Sequence, residues 1–299
     1  MWLHLLTAFG CHGRGCLGDE LQGEVDGQRF LRCAQVAAPS GRSVRLGPLQ
    51  LTIDGRVLSI EGASELRVTA FTGPVGAAFE RSDLEQLTRS RPGLVFYLGG
   101  LGDDLATARQ NLASLAALRV PTLFVAGGAD RLPVIEAAFA ALGEGERDTL
   151  LNASGLREVR IGSDRFIPVA GAPFGRYARD EQSCGLDNDD FEQIQASARE
   201  RSAMRTWLVS WQAPAGASLS DGFGGAELGS PDLKALATAV EASGGLYAYP
   251  EGQVLQAQSA SSWIVPRLSR VGAQQADGSR LRGQVLSLVL TTKGLVFTP

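Results

Sequence analysis

The chain has 299 residues, of which 44% are hydrophobic and 20% are charged, a balance typical of globular proteins that bury a sizeable core. Its two histidines, His4 and His12, lie near the amino terminus, which excludes histidine-based metal sites, Ser-His-Asp triads and histidine general bases from the rest of the chain. The formal net charge is −4, without a long basic run, so nucleic acid is not an expected partner.

The first eleven residues form a short apolar stretch that ends in Cys11, directly after Gly10. This pattern resembles the end of a bacterial lipoprotein signal, in which the cysteine is lipidated after cleavage. We therefore expect residues 1–11 to be a signal or lipoprotein segment that directs the protein to the cell envelope or periplasm. A cytoplasmic location is the alternative. So short a stretch cannot span a bilayer, and membrane contact is expected only through a lipid anchor.

The remaining cysteines are Cys16, Cys33 and Cys184. If Cys11 carries a lipid, Cys16 and Cys33 are available to form a disulfide across a short loop, which leaves Cys184 free. The spacing of Cys11 and Cys16 with His12 also suits a metal site superficially. No second ligand pair follows at the distance of a zinc site, so we expect no metal there.

A Gly-rich stretch, residues 12–48, predicts an irregular amino-terminal arm, and residues 49–299 are predicted to form one domain. The domain begins with a β-hairpin. Its two β-rich runs, 49–53 and 56–60, flank Asp54-Gly55, the dipeptide best suited to a type I′ turn.

Strands and helices alternate between residues 66 and 142. Apolar runs predict strands at 66–71, 93–98 and 121–126. Ser82 and Glu85 form a capping box that predicts one helix start, Asp103-Asp104 predicts a second, and a third helix runs to about Leu142. Three successive β-α units with apolar strands indicate a mainly parallel sheet that is covered on both faces.

The second half repeats this alternation more loosely. Ser230-Pro231-Asp232 predicts a helix start, with proline at the first helical position. The other predicted elements are a strand pair at 156–161 and 165–170, a polar helix at 187–202, and strands at 205–210, 245–249, 263–268 and 285–290.

This order of elements and five strand-end loops resemble the calcineurin-like metallophosphoesterases, over roughly residues 64–270. The matching loops are 71–76 (FTGPVG), 98–101 (LGGL), 125–130 (VAGGAD), 208–214 (LVSWQAP) and 248–252 (AYPEG). The resemblance implies an α/β fold, a four-layer αββα sandwich with a mixed, mainly parallel core sheet. In that family the strand ends hold two divalent metals, and a metal-bridging hydroxide attacks a phosphoester.

The residues depart from the family pattern at its ligand positions. The first aspartate and histidine of the family fall on Thr72 and Pro74, and its bridging aspartate falls on Gly100. The family asparagine falls on Gly128, and the histidine that assists the leaving group falls on Ala129. None of these five side chains is an anionic or imidazole ligand.

The later motifs depart in the same way. Trp211 stands in place of the strand-end histidine, and Tyr249 and Glu251 replace the two histidines of the final motif. Asp130 survives, but it is not a principal ligand of the family. Two divalent cations repel each other and require several anionic or imidazole ligands, so one carboxylate, Glu251, cannot hold them. We expect no metal, no other cofactor and no catalytic residue at these vestigial positions.

Several of these residues have a structural interpretation and a functional one. The pairs Gly99-Gly100 and Gly127-Gly128 suit turns with positive φ, or an anion site made of backbone N–H groups. Asp130 is predicted to cap a helix. Trp211 and Tyr249 would fill the strand-end cleft, by simple packing or by contact with a partner.

The acidic cluster 187–190 resembles a calcium loop only superficially, because acids at a helix start stabilise the helix dipole without a metal.

The leading hypothesis is a catalytically inactive protein of this fold that binds or scaffolds a protein partner at the bacterial cell envelope. One alternative is a hydrolase with a relocated magnesium site that uses Asp103, Asp130 or Glu251. The other is a receptor for a small anion at the paired glycines.

Overall fold

The computed structural model describes residues 41–74, 76–173, 177–178, 182–199, 204–216, 227–248, 258–259, 261–268, 273–274, 280–281 and 285–298. The helices are α1 (Arg81–Ser90), α2 (Leu105–Ala116), α3 (Leu132–Ala140), α4 (Glu144–Thr149), α5 (Asn188–Arg199) and α6 (Pro231–Ala239).

The strands that form the two large sheets are β1 (Arg42–Leu46), β2 (Leu49–Asp54), β3 (Val57–Glu61), β4 (Leu66–Phe71), β5 (Leu94–Leu98), β6 (Thr122–Val125), β7 (Leu150–Asn152), β8 (Glu158–Ile161), β9 (Asp164–Val169), β12 (Arg205–Ser210), β13 (Gly244–Ala248), β14 (Gln258–Ser259), β15 (Ser262–Val265), β18 (Leu286–Thr291) and β19 (Gly294–Phe297). Two short pairs complete the set: β10 (Ala172–Pro173) with β11 (Gly185–Leu186), and β16 (Ala273–Gln274) with β17 (Arg280–Leu281).

Two sheets face each other across the main core. The larger has the strand order β1-β2-β3-β8-β9-β12-β13-β15-β14, and the smaller has the order β19-β18-β4-β5-β6-β7. The Phe96 ring of β5 lies 5.4 Å from the Phe166 ring of β9, which places these side chains between the sheets. Because side chains alternate along a strand, the neighbouring residues point to the outer faces.

Helices cover both outer faces. On the smaller sheet, Phe124 of β6 packs against Phe139 of α3, at 5.8 Å between ring centroids. On the larger sheet, a second apolar cluster joins strand residues such as Leu208 to Ile194 of α5 and Leu233 of α6. The layers therefore follow the order αββα, and the predicted α/β sandwich with mainly parallel sheets is confirmed.

The parallel strands bring the candidate loops to one edge of the sandwich. Strands β4, β5, β6 and β7 run parallel in the smaller sheet, and β9, β12, β13 and β15 run parallel in the larger. Main-chain hydrogen bonds join the sheets there: Thr72 donates to the Pro266 carbonyl at 2.9 Å, and Gly171 donates to the Ala126 carbonyl at 2.7 Å. We call this rim the strand-end edge.

Three local predictions are wrong. The predicted arm, 12–48, contains strand β1, which pairs with β2; residues 1–40 lie outside the described part. The predicted hairpin does form, between β2 and β3, but its turn residues are Gly55 and Arg56, because Asp54 pairs with Val57. Of these two residues only Gly55 has a positive φ, as in a type II′ turn and not in the predicted type I′ turn.

The third concerns the cap of helix α1, which begins at Arg81, next to the expected start at Ser82. Its first turn is closed by the Glu80 N–H, which donates to the Asp83 carboxylate at 2.9 Å. Glu85 instead pairs with Arg81 on the exposed surface, so the predicted box of Ser82 and Glu85 does not form.

Candidate functional site

The strand-end edge is built by three loops of the smaller sheet that lie in close contact. The Gly73 N–H donates to the Gly99 carbonyl at 2.9 Å, and the buried Tyr97 hydroxyl donates to the Gly100 carbonyl at 2.6 Å. A Cβ atom on Gly100, whose φ is +78°, would lie 2.9 Å from the Gly73 carbonyl oxygen. A Cβ atom on Gly73 would overlap the Gly100 carbonyl oxygen and the Tyr97 hydroxyl. Neither position has room for a side chain.

Trp211, which follows β12, lies over the glycines of the opposite sheet. Only 8% of its surface is exposed. A Cβ atom on Gly127 would lie 2.6 Å from Cδ1 of the Trp211 indole, and one on Gly128 would lie 3.2 Å from its Cζ3. The Tyr177 ring meets the indole edge to face at 5.5 Å. The indole therefore occupies the space above the ends of β5 and β6.

Asp130 joins two of the loops through its buried carboxylate, which is 4% exposed. It accepts hydrogen bonds from the backbone N–H of Gly127 at 2.7 Å, of Leu101 at 2.9 Å and of Gly100 at 3.1 Å. The prediction that Asp130 caps a helix is wrong, because α3 begins at Leu132 with Arg131 at its cap position. Its side chain points back to the strand ends instead of forward to the helix.

The charge of Asp130 is costly in this environment. The pKa of its carboxyl is raised from 3.8 to about 6, and burial is the largest cause. The charge of Asp103 also raises this pKa, whereas the N–H groups of Gly127, Leu101 and Gly100 oppose the increase. Burial, together with the charge of Asp130, also raises the pKa of Tyr97. Desolvation therefore outweighs the hydrogen bonds that stabilise the carboxylate.

Asn111 on α2 joins the loops that follow β4 and β5, a role the sequence analysis missed. Its Oδ1 accepts from the Phe79 N–H at 2.8 Å, and its Nδ2 donates to the carbonyls of Leu101 and Ala77 at 2.8 and 3.2 Å. A signal was present in the sequence. Asn111 stands three residues after Ala108 and four before Leu115, on the apolar face of the helix, where a polar residue must find buried partners.

The structure brings together some of the predicted site residues. Five of them are buried at the strand-end edge: Thr72, Pro74, Gly128, Asp130 and Trp211. Gly100 is half-buried at the same edge, and Ala129 is exposed. The other predicted site residues lie outside the described part of the chain: Tyr249, Glu251, Cys11, Cys16 and Cys33. Cys184 is buried and free.

The predicted carboxylate clusters have structural partners. Asp104 caps α2 by accepting from the Thr107 N–H at 2.9 Å, as predicted, and Asp103 beside it is exposed. At the start of α5, the Asp187 and Asp190 carboxylates each accept the backbone N–H of the other residue, at 3.1 and 3.0 Å. These reciprocal bonds agree with the interpretation of this cluster as a helix start.

Comparisons with known proteins give matches only among solved structures; no family model matches, and no curated protein does. One matching structure is 12% identical with a TM-score of 0.53, covering 79% of this chain and 100% of its own. The chain has a calcineurin-like metallophosphoesterase fold.

Two further matches have lower TM-scores. The protein TT1561 of Thermus thermophilus is 14% identical, with a TM-score of 0.49 and coverage of 70% of this chain and 92% of its own. A Staphylococcus aureus structure described as a 5′-nucleotidase is 12% identical, with a TM-score of 0.49. The match covers 79% of this chain and 53% of the Staphylococcus aureus chain.

The residues at the strand-end edge do not fit the metals that a metallophosphoesterase fold implies. In the part of the chain that the structure describes, no three His, Cys, Asp or Glu side chains converge as a metal site would need. The ligand positions Gly100 and Gly128 have no side chain, and the Asp130 carboxylate already accepts three N–H groups.

We expect Gly73→Ala to destabilise the protein strongly, by roughly 3 kcal/mol or more, because the new methyl group would overlap the Gly100 carbonyl. Gly145→Ala is the matched control. It adds the same methyl group within helix α4, with no atom within 4 Å, and should be neutral or slightly stabilising. Urea denaturation measures the free energy of unfolding of both variants. Equal stability of the two would show that the loops do not approach as closely as described.

The raised pKa of Asp130 predicts a pH dependence of stability. The folded state retains this proton up to about pH 6, whereas the unfolded chain releases it near 3.8, so the contribution of Asp130 to the free energy of unfolding falls as the pH rises from 4 to 6. The fall is on the order of 3 kcal/mol. Asp130→Asn should lack this fall in the free energy of unfolding, because its side chain does not titrate. Urea denaturation of both proteins at pH 4, 5, 6 and 7 gives the difference; parallel pH profiles would contradict the assignment.

Proposed function

We propose that this chain is a binding or scaffolding module on a metallophosphoesterase-type fold, and that it does not hydrolyse phosphoesters through a dinuclear metal centre. The observation that carries the proposal is the closure of the strand-end edge. In the family that this chain resembles, the catalytic metals lie at the corresponding strand ends. In this chain, Gly73 and Gly100 are in main-chain contact there, and Trp211 covers Gly127. The space required by ligands and substrate is occupied by the protein itself.

This occupation goes beyond a loss of ligand residues. An aspartate at Gly100 would place its Cβ 2.9 Å from a carbonyl oxygen, and a side chain at Gly128 would place its Cβ 2.6 Å from the Cβ of Ala172. Real Cβ atoms do not approach neighbours this closely, so the backbone has adapted to residues without side chains. A few substitutions would not restore a metal centre to such a backbone.

The two alternatives find less support among the described residues. A relocated magnesium site would need free carboxylate oxygens, but those of Asp130 accept backbone N–H groups, and Asp103 is exposed. A receptor for a free anion at the paired glycines would need the N–H groups that Asp130 already occupies. These hydrogen bonds of Asp130 favour the binding module over both alternatives.

A protein partner and a location at the bacterial cell envelope complete the proposal. The support for this location is the apolar stretch that ends in Gly10-Cys11, which resembles the end of a lipoprotein signal. A lipid anchor would hold the domain at the membrane without a spanning helix, and within the described ranges no helix is long and apolar enough to cross one.

Metal analysis combined with hydrolysis assays tests the loss of catalysis. The full chain, expressed with added manganese, iron or zinc, should contain far less than one metal ion per molecule and should hydrolyse neither p-nitrophenyl phosphate nor bis-p-nitrophenyl phosphate. The reason is the lack of converging ligands among the described residues of the strand-end edge. A known metallophosphoesterase prepared in the same way is the positive control. Stoichiometric metal together with turnover would refute the proposal.

Metabolic labelling with an alkyne-bearing fatty acid tests the anchor. In a bacterial host that processes lipoproteins, the full chain should become labelled and should sediment with membranes, since Cys11 is the cysteine at the predicted cleavage site. Cys11→Ser should lose both properties. Cys16→Ser is the matched control and should retain them. An unlabelled wild-type chain in the soluble fraction would rule out the envelope anchor but not the binding function.

A further inference from the structure

Three backbone N–H groups from two loops converge on a single buried carboxylate. Gly127 donates to Oδ2 of Asp130, Leu101 donates to Oδ1, and Gly100 lies 3.1 Å from both oxygens. Among the described residues, the interactions that stabilise its charge are these main-chain dipoles. Such concave groups of N–H donors bind anions in many proteins.

The donors Gly100 and Leu101, in the loop after β5, are held in place by contacts that do not involve Asp130. The loop after β5 is fixed by the Gly99 N–H, which donates to Val125 at 2.8 Å, and by Asn111, which donates to the Leu101 carbonyl. Tyr97 donates to the carbonyl of Gly100. These bonds would orient the N–H groups even if the Asp130 side chain were removed, as an anion site requires.

We propose that the N–H groups of Gly100, Leu101 and Gly127 form a carboxylate-binding site, and that Asp130 occupies it as a ligand supplied by the chain itself. We call it the carboxylate cradle. The two-oxygen contact and the nearly complete burial select a small planar carboxylate over a tetrahedral phosphate. The inference goes beyond the proposed function, and it does not depend on whether the protein binds a partner.

The surrounding charges agree with a built-in ligand. Among the described residues, the titratable groups that act on Asp130 from adjacent elements are Asp103 and Tyr97. Cys184 donates its backbone N–H to the main-chain oxygen of Asp130, and the Arg131 side chain turns away to Gln182. A free carboxylate would have to overcome the same desolvation and the repulsion from Asp103. A tethered carboxylate has the advantage of a high effective concentration.

Chemical rescue tests the cradle. Asp130→Ala should have a lower Tm than the wild type because three N–H groups lose their acceptor. At pH 7.5, formate should enter the space left by the carboxylate and raise the Tm of this variant by about 3 °C at ten times its Kd, relative to chloride at equal ionic strength. The wild type should show no such difference, because its site is filled.

Two controls make the result decisive. Asp103→Ala removes an exposed neighbouring acid and should show no effect specific to formate, and phosphate should not stabilise Asp130→Ala more than chloride does. The proposal fails if formate and chloride act alike on Asp130→Ala, or if formate stabilises the wild type equally. If Asp130→Ala does not fold, amide exchange of the wild type decides: the Gly100, Leu101 and Gly127 amides should be strongly protected, and rapid exchange would overturn the cradle.

Discussion

The close approach of main-chain segments at the strand-end edge is the constraint on which the rest of the site depends. Gly73 and Gly100 are in main-chain contact, and the indole of Trp211 lies against Gly99 and Gly127, in space that any Cβ atom would take. Among the described residues, protein atoms therefore lie where side chains at these glycines would have to be. The same absence of side chains lets backbone N–H groups reach the Asp130 carboxylate.

Buried polar side chains then hold these loops in position. Asn111 joins the loops after β4 and β5, and Asp130 joins those after β5 and β6, so three consecutive strand ends form one hydrogen-bonded unit. Ligands of parallel α/β sheets usually bind at this edge, because the carboxyl ends of the strands open there. In this chain, the internal side chains Asp130 and Trp211 occupy the corresponding position.

Local sequence patterns predicted much of the fold because they report on local physics. Apolar runs marked β4, β5 and β6, and Ser230 before Pro231 marked the start of α6, where its side chain accepts the Leu233 N–H at 3.1 Å. The same reasoning failed where a distant partner decides the outcome. The position of Asp130 before a helical run predicts a helix cap, but the partners of its carboxylate include Gly100, 30 residues earlier.

The sequence by itself determined much of the order of strands and helices, because residue identity and periodicity are local properties. It also predicted that the family ligands are replaced at Thr72, Pro74, Gly100, Gly128, Ala129 and Trp211. Only the tertiary structure decided that the glycine loops close on one another, that Trp211 covers them and that Asp130 fills an anion site. These outcomes depend on the pairing of parallel strands and on the facing of two sheets. Strand pairing brings together residues that are far apart in the chain, and no local pattern encodes the distance between them.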